Sequence, residues 1–422
     1  MAPPEAPLLP PAVALGAARL LLGTSHGQRI DLATHRRLHG TVAPVDLDRL
    51  VAMTTEVALL GRGGAAFPVA TKLRATPAGS RTQVLVNGSE GEPASFKDRT
   101  VMTRTPHLVL DGALAVAGAL GTRHVTITVH DDASAHSLRR AVQERRDAGR
   151  VRVVQRPGGF VSGEVRAAIR AVDGHAPLPG GRRVLPSVSG VKGAPTFASN
   201  VETFAQVAVL LSRGVREHAS VGDPDEPGTT LLTLWADDSG PVVVEVPTGL
   251  ALHGLLPGTD DRPVLVGGYH GTWVPVAGDL RVSRPALRRA GLRLNAGVVA
   301  RPPADTCLLG EVAAVTRWLA AESAGQCGPC WFGLPALART VDDLVAGRQV
   351  PEAAQARAAL LPGRGACAHP DGAAGFVSSA LEVLTHEVAL HRTHGTCGRP
   401  LRGALPVPPV GPRPSARHGG AR

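Results

Sequence analysis

Lysine is almost missing from this chain: Lys72, Lys97 and Lys192 stand against 42 arginines. Where bulk positive charge suffices, the sequence uses arginine. A retained lysine therefore points to a place where a compact, three-donor ammonium is wanted, such as the edge of a phosphate. All three lie in glycine-rich, motif-like segments. Aromatic residues are also scarce, with seven Phe, four Trp and one Tyr. Basic stretches interleaved with stacking rings are absent, which argues against a nucleic-acid-binding protein despite the net charge of +10. Residues 388–422 hold six arginines and no acid, so much of that excess sits in a Pro/Gly-rich terminal stretch. No apolar run reaches the roughly 18 residues that span a bilayer, so an integral membrane protein is not expected. Glu5 stands where a secretory signal would carry basic charge, and a cytoplasmic protein is expected. Five cysteines, an odd number, do not make a disulfide framework.

What is present is an alternation of strand and helix patterns. QVLVNG (83–88), HVTITVH (124–130) and VRVVQRP (151–157) read as buried strands. Between them, PHLVLDGALAVAGAL (106–120) and SAHSLRRAVQERRDAG (134–149) read as helices. That order predicts a parallel α/β sheet whose glycine-rich loops lie at its strand ends, where such sheets bind ligands. Residues 1–55 read as a lead-in, 56–222 as a Rossmann-like α/β domain, and 223–285 as a small β-grasp-like (ubiquitin-like) module of short strands. Residues 300–395 read as a helical bundle, and 396–422 as a disordered basic tail.

Several motifs carry chemistry. Gly61-Arg62-Gly63-Gly64 offers unobstructed backbone N–H groups ahead of a helix, a phosphate cradle that Lys72 can reach. The same glycines also suit a plain tight turn. The loop from Asn87 through Glu90 and Glu92 to Lys97 is dense in carboxylate and amide groups that can bond a ring edge or a ribose diol. Gly159-Phe160-Val161-Ser162-Gly163-Glu164 repeats the glycine-then-acid theme, and Asn200-Val201-Glu202-Thr203 opens an apolar helix. Cys327-Gly328-Pro329-Cys330, with Cys367 further on, presents thiolates to one metal or cluster. A redox disulfide or a zinc site are the alternatives, each weakened by missing context.

In order, GRGGAAFP, NGSEGEPASFKDR, GGFVSGE, NVET and ESAGQCGPC resemble the flavoprotein subunit of respiratory complex I and related subunits of NAD-linked hydrogenases and formate dehydrogenases. The resemblance runs from about residue 55 to 392. It implies FMN, NADH as the electron donor, and an iron–sulfur cluster carried by the helical region. It also implies that Gly61, Arg62, Gly63, Gly64, Lys72, Asn87, Gly163, Asn200 and Thr203 hold the flavin. Glu90, Glu92 and Glu164 would line the flavin and nicotinamide site, with Glu90 and Glu92 catalytic. Phe67 would stack on adenine, and Cys327, Cys330 and Cys367 would ligate the cluster. Electrons would leave to a separate ferredoxin or membrane redox partner.

The departures are as informative. Ala324 stands where the family has its first cluster cysteine, Ser89 replaces an Asp, Phe160 a Tyr, and Val165 an acid. Ala75 and Leu185 replace two aromatics of the adenine clasp, and such a loss costs about 1 kcal/mol or more each. Three cysteines suit a 3Fe–4S cluster. A 4Fe–4S cluster needs a fourth ligand from Ser323, His369, Cys307, Cys397 or solvent, and a vestigial site is the remaining option. Cys307 otherwise reads as a small buried hydrophobe. These departures keep an alternative open: an electron-transfer subunit that no longer oxidises NADH, either non-catalytic or driven by ferredoxin.

Overall fold

In the computed structural model, residues 9–24, 27–181, 184–256, 262–275 and 280–409 are described. The chain opens with a short strand, Ala12–Ala14 (β1). Gln83–Asn87 (β2), His124–Val129 (β3), Val151–Gln155 (β4) and Thr196–Asn200 (β5) then form an all-parallel sheet in the order β4-β3-β2-β5. Leu85, Val86 and Ile127 are wholly buried, as expected of strands covered on both faces. Helices Pro106–Ala119 and Val201–His218 pack together over the sheet; a Cβ on Gly112 would fall 1.9 Å from the Phe204 carbonyl oxygen, so only glycine permits this approach.

The strand order reverses at β2. The chain steps outward from β2 to β3 and β4, then returns so that β5 lies on β2's other side. Asn87 and Asn200 end these two strands and sit in register. A crevice outside the carboxyl ends of strands at such a reversal is the ligand position of open α/β sheets.

A two-residue pair, Gly222–Asp223 (β6) with Glu226–Pro227 (β7), leads into a six-stranded mixed sheet. It contains Thr229–Ala236 (β8), Pro241–Pro247 (β9), Val264–Val266 (β10), Thr272–Val274 (β11) and Val298–Arg301 (β12), in the order β1-β9-β8-β12-β10-β11. Residues 1–55, expected as a lead-in, are partly built into this sheet. β1 pairs with β9, and the buried Glu245 carboxylate accepts the N–H groups of Arg19, Leu20 and Leu21.

A buried ionic chain fastens the two sheets. Lys97 Nζ lies 3.1 Å from Glu202, Arg62 pairs with Glu226, and Arg284 Nη1 donates to Glu226 at 2.6 Å. Charges this deep are tolerated because each has a partner.

The final helices are Leu308–Ala321, Leu334–Val345, Pro351–Ala359, His369–Val383 and Thr385–His394. Leu309, Leu337, Val341, Phe376 and Val377, all wholly buried, share one core. The last two helices read as one segment in sequence; the chain breaks between them at Leu384, whose φ/ψ of −97/24 lies outside the helical range. The expected disordered tail is corrected as far as the described residues go. Leu405 is buried, Arg402, Gly403 and Leu405 donate N–H bonds to the Glu311 carboxylate, and Tyr269 Oη donates to the Pro406 carbonyl at 2.7 Å. Residues 410–422 of that tail lie outside the described residues.

Candidate active site

The crevice at the strand reversal collects most of the residues expected there. Gly63 abuts Asn200: a Cβ at Gly63 would lie 3.6 Å from the Asn200 Cβ. Asn87 Nδ2 donates to the Gly163 carbonyl at 2.8 Å, which ties the first acidic loop to the second glycine loop. A Cβ on Gly163 would sit 2.9 Å from the Ser89 carbonyl oxygen, so the two loops touch backbone to backbone. Asn200 caps the following helix by accepting from Glu202 N–H at 2.9 Å. The helix start beyond it presents the positive end of its dipole to the crevice.

Some expected site residues are spent on the scaffold. The Arg62 guanidinium is fully buried against Glu226 and the Thr229 carbonyl, while its N–H donates to Thr203 Oγ1 at 2.9 Å. Arg62 and Thr203 thus fix the glycine turn from behind. Glu90 accepts from Ser95 Oγ, Asp98 N–H and Arg99 N–H at 2.6–3.1 Å, a clamp on its own loop. Glu164 caps its helix by accepting from Arg166 and Ala167 N–H.

The lysine signal resolves into three outcomes. Lys192 is exposed, with a left-handed φ of 52°. Lys97 lies between Asp98 and Glu202; burial alone would lower its pKa, but these carboxylates hold it above the ordinary value. Lys72 differs. Its Nζ donates to the Ala198 carbonyl at 2.8 Å and lies 5.8 Å from the Phe197 ring centroid, and among the described residues no carboxylate pairs with it. Desolvation brings it down to about 8. An ammonium held two residues before Asn200 without a counter-charge suits an incoming phosphate, so the crevice fits FMN.

Glu92 is the matching oddity among the acids. It is buried, and its oxygens accept from Tyr269 N–H at 2.8 Å and Ala94 N–H at 3.3 Å. Burial outweighs those donors and pushes its carboxyl up to about 8. Around pH 7 it is largely protonated, able to hold a proton beside the crevice. The loop against it, Gly267-Gly268-Tyr269-His270-Gly271, was missed as a site element, although it holds the chain's single tyrosine inside a glycine cluster. Gly268 has φ 83°, and a Cβ there would meet Glu92 Oε2 at 2.6 Å. Phe67 is 47% exposed at the rim, and Ala75 and Leu185 are exposed too.

Phe160 faces the helices. Its ring centroid is 4.5 Å from His270, 5.3 Å from Trp318 and 5.4 Å from His369. Its N–H donates to Glu322 at 2.9 Å, two residues before Ala324. The glycine-then-acid loop is therefore bonded directly to the cysteine loop.

Three thiols converge there. Cys327 and Cys330 Sγ are 3.5 Å apart, with Cys330 on a single wide helical turn, Pro329–Gly333. Burial, reinforced by Cys327 and Cys367, pushes the Cys330 thiol up to about 11. Thiols held this way ionise when a cation or cluster binds them, and a thiolate donor set is what iron–sulfur clusters take. The candidates for a fourth ligand separate cleanly. His369 is used on both sides: Nε2–H donates to the Leu319 carbonyl at 2.8 Å, and Nδ1 faces His270 Nε2 at 3.0 Å. Burial keeps both imidazoles neutral. Cys307 caps the start of the 14-residue helix Leu308–Ala321, whose far end leads to Cys327. It and its neighbour Cys397 thus lie roughly 20 Å away and are excluded. Ser323 Oγ is buried and, among the described residues, has no hydrogen-bond partner.

Comparison with known proteins agrees with this geometry. Residues 54–209 match the Nuo51 FMN-binding domain, and residues 311–391 match the NADH-ubiquinone oxidoreductase-F iron-sulfur binding region. An NADH-quinone oxidoreductase F subunit of Rhizobium meliloti is 28% identical over 393 residues, covering 86% of this chain and 93% of the relative. The NAD-reducing hydrogenase HoxS subunit alpha of Cupriavidus necator is 30% identical over 322 residues, covering 71% of this chain and 53% of that protein. An NAD+-reducing NiFe hydrogenase crystallised in its H2-reduced state shares the fold, with a TM-score of 0.72 at 24% identity; the match covers 86% of this chain and 66% of that one. The chain thus carries a Nuo51-type FMN-binding region followed by an NADH-ubiquinone oxidoreductase-F-type iron–sulfur binding region, and is homologous to NADH-quinone oxidoreductase F subunits and to the hydrogenase HoxS alpha subunit.

Proposed function

We propose that this chain oxidises NADH, passes the electrons through FMN to an iron–sulfur cluster, and delivers them to a separate carrier such as a ferredoxin. The observation that carries this reading is the Phe160 N–H···Glu322 bond, which joins the flavin-side loop to the cysteine loop. Bound FMN takes a hydride's two electrons together and releases them singly, chemistry that belongs to the cofactor. The chain's own part is binding, orientation and charge. Lys72, Asn87, Asn200 and the Gly61–Gly64 turn hold the flavin and its phosphate. Glu92 holds a proton at its carboxyl beside the crevice, and Glu90 positions the loop that carries it. Phe67 supports adenine from one side. The six-stranded sheet serves as the β-grasp-like module and the last helices as the iron–sulfur domain. Cys327, Cys330 and Cys367 supply three thiolates, and the unpartnered Ser323 hydroxyl takes the fourth position beside Ala324.

The test is an absorbance spectrum of anaerobically purified protein before and after NADH. Flavin bands over a broad brown shoulder, both bleaching with NADH, are expected. A flavin that dithionite reduces and NADH does not would sink the NADH assignment and favour a ferredoxin-driven subunit.

A further inference from the structure

At the opposite end of helix Leu308–Ala321 from the cysteine loop, a second donor set converges. Cys307 Sγ, a Glu387 carboxylate oxygen, His391 Nε2 and Cys397 Sγ all lie within 4.8 Å of one another. Three of the four residues are buried, and Cys397 is half-buried. We propose that these four side chains, a pair of thiols with one imidazole and one carboxylate, form a structural zinc site separate from the iron–sulfur centre.

The spacing fits the ion. Tetrahedral zinc with bonds of about 2.0–2.3 Å places its ligands roughly 3.3–3.8 Å apart. Cys307 Sγ and His391 Nε2 already stand at 3.3 Å. The histidine is oriented for the role. His391 Nδ1–H donates to the Val345 carbonyl at 2.6 Å, which leaves Nε2 as the free lone pair aimed at the sulfurs. A metal-bound histidine is held by this same arrangement. Glu387 and His391 stand four residues apart on one helix and so share a face.

The charges also balance. Two thiolates and the Glu387 carboxylate bring three negative charges. Zinc brings two positive charges, and the Arg399 guanidinium, 2.6 Å from Glu387, brings the third. The Cys307 sulfur further accepts from Gly310 N–H at 3.3 Å in the first turn of the helix it caps. Metal binding releases the two thiol protons to solvent. A soft, sulfur-rich set with one imidazole selects zinc over magnesium or calcium. A small cavity lined by Cys307, His391, Thr396 and Arg399 gives the ion a way in.

A disulfide between Cys307 and Cys397 would use the sulfurs but leave the orientation of His391 unexplained. Zinc uses all four groups and ties together three segments: the start of one helix, the last helix, and the stretch after it. That stretch is already laid across the helix start, where Cys307 N–H donates to the Pro400 carbonyl at 2.8 Å. Cys307 is thus more than the small buried hydrophobe that its sequence context implies.

The experiment is metal analysis of the full-length chain, purified without chelator and supplied with zinc or, separately, cobalt. About one zinc per chain is expected in addition to iron. The cobalt form should show intense visible bands of a tetrahedral thiolate site. Cys397→Ser and His391→Ala should lose this metal with the iron content unchanged, whereas His391→Cys should retain it. Cys330→Ser should lose iron and keep zinc. A wild-type chain that takes up no zinc, or whose peptide map shows Cys307 joined to Cys397, overturns the proposal. So does zinc that disappears with Cys330→Ser and survives Cys397→Ser, since that ion would sit in the cluster site.

Discussion

The flavin crevice and the cysteine loop sit a single hydrogen bond apart, yet they are built from different polar groups. In the crevice almost every charge is matched: Lys97 by Asp98 and Glu202, Arg62 by Glu226, and Glu90 by three donors. The cysteine loop instead gathers soft donors. Three thiols face one another, and among the described residues a buried serine hydroxyl has no hydrogen-bond partner. An unbonded buried polar group is costly, so the Ser323 hydroxyl beside the thiols marks a place shaped for something that binds there. The same criterion sorts the crevice itself. Among the described residues Lys72 has no acid and Glu92 no cation, and these are the two groups proposed for ligand and chemistry.

The sharpest break of this comparison removes a leftover group outright. Cys330→Ser should eliminate the cluster, and electron delivery to a ferredoxin-type acceptor should fall by at least about a hundredfold, the upper end of what even an outer-shell change costs a metal site. NADH oxidation by a small acceptor that draws directly on the flavin should survive. Iron analysis with the two assays side by side decides it; equal loss in both assays would mean that the loops are not independent units.

Next in size, Lys72→Ala should weaken FMN by about ten- to a hundredfold, the range of one charge-assisted hydrogen bond. Flavin titration by fluorescence quenching measures this. Lys97→Ala should instead destabilise the fold, because it strands Asp98 and Glu202. If Lys97→Ala unfolds nothing and only flavin affinity falls, the division into matched walls and leftover ligands fails.

Much of this was legible in the chain. The parallel strands β2, β3 and β4 and the Asn87 end followed from alternation and turn chemistry, and the Cys327–Cys330 pair stood out as a motif, whereas Thr196–Asn200 reads as a turn and is the fourth strand. The sorting of Lys97 and Arg62 into the ionic chain was not legible, because Glu202 and Glu226 reach them only through tertiary packing across two sheets. The Gly267–Gly271 loop was passed over because its glycines read as a strand end, and its contact with Glu92 spans distant sequence. Cys307 and Cys397 lie in unremarkable contexts 90 residues apart, and the fold alone brings them to His391.

Glu92 offers a signed test. Its carboxyl is raised to about 8 in the folded chain, chiefly by burial, against an ordinary value of 4.5. Between about pH 5 and 8 the folded state therefore holds a proton that the unfolded chain has already given up. This contribution to stability is present below the ordinary value and is lost as pH rises through about 8. Glu92→Gln has no such proton to lose. Flavin-free wild type should lose on the order of a few kcal/mol more than Glu92→Gln between pH 5 and 8.5, read from denaturant unfolding. Parallel pH profiles would mean that Glu92 is ionised throughout, with an unseen partner, and would return it to the matched wall.

The smallest effect belongs at the rim. Phe67 is 47% exposed, so the fold has little use for its ring there. If it supports adenine, Phe67→Ala should raise the KM for NADH by roughly fivefold, the equivalent of about 1 kcal/mol of stacking. Because adenine is remote from the reacting carbon, the loss is the same in the ground and transition states. kcat should therefore stay put, and thermal stability should not move. The complementary change tests the same geometry from the other side. Ala75 and Leu185, which the resemblance implies belong to the same clasp, are both exposed. Leu185→Phe should lower KM in wild type and give back less when Phe67 is also alanine, since a clasp needs two faces. A KM that ignores Phe67 would place the adenine elsewhere and leave the exposed ring as part of a protein-docking surface.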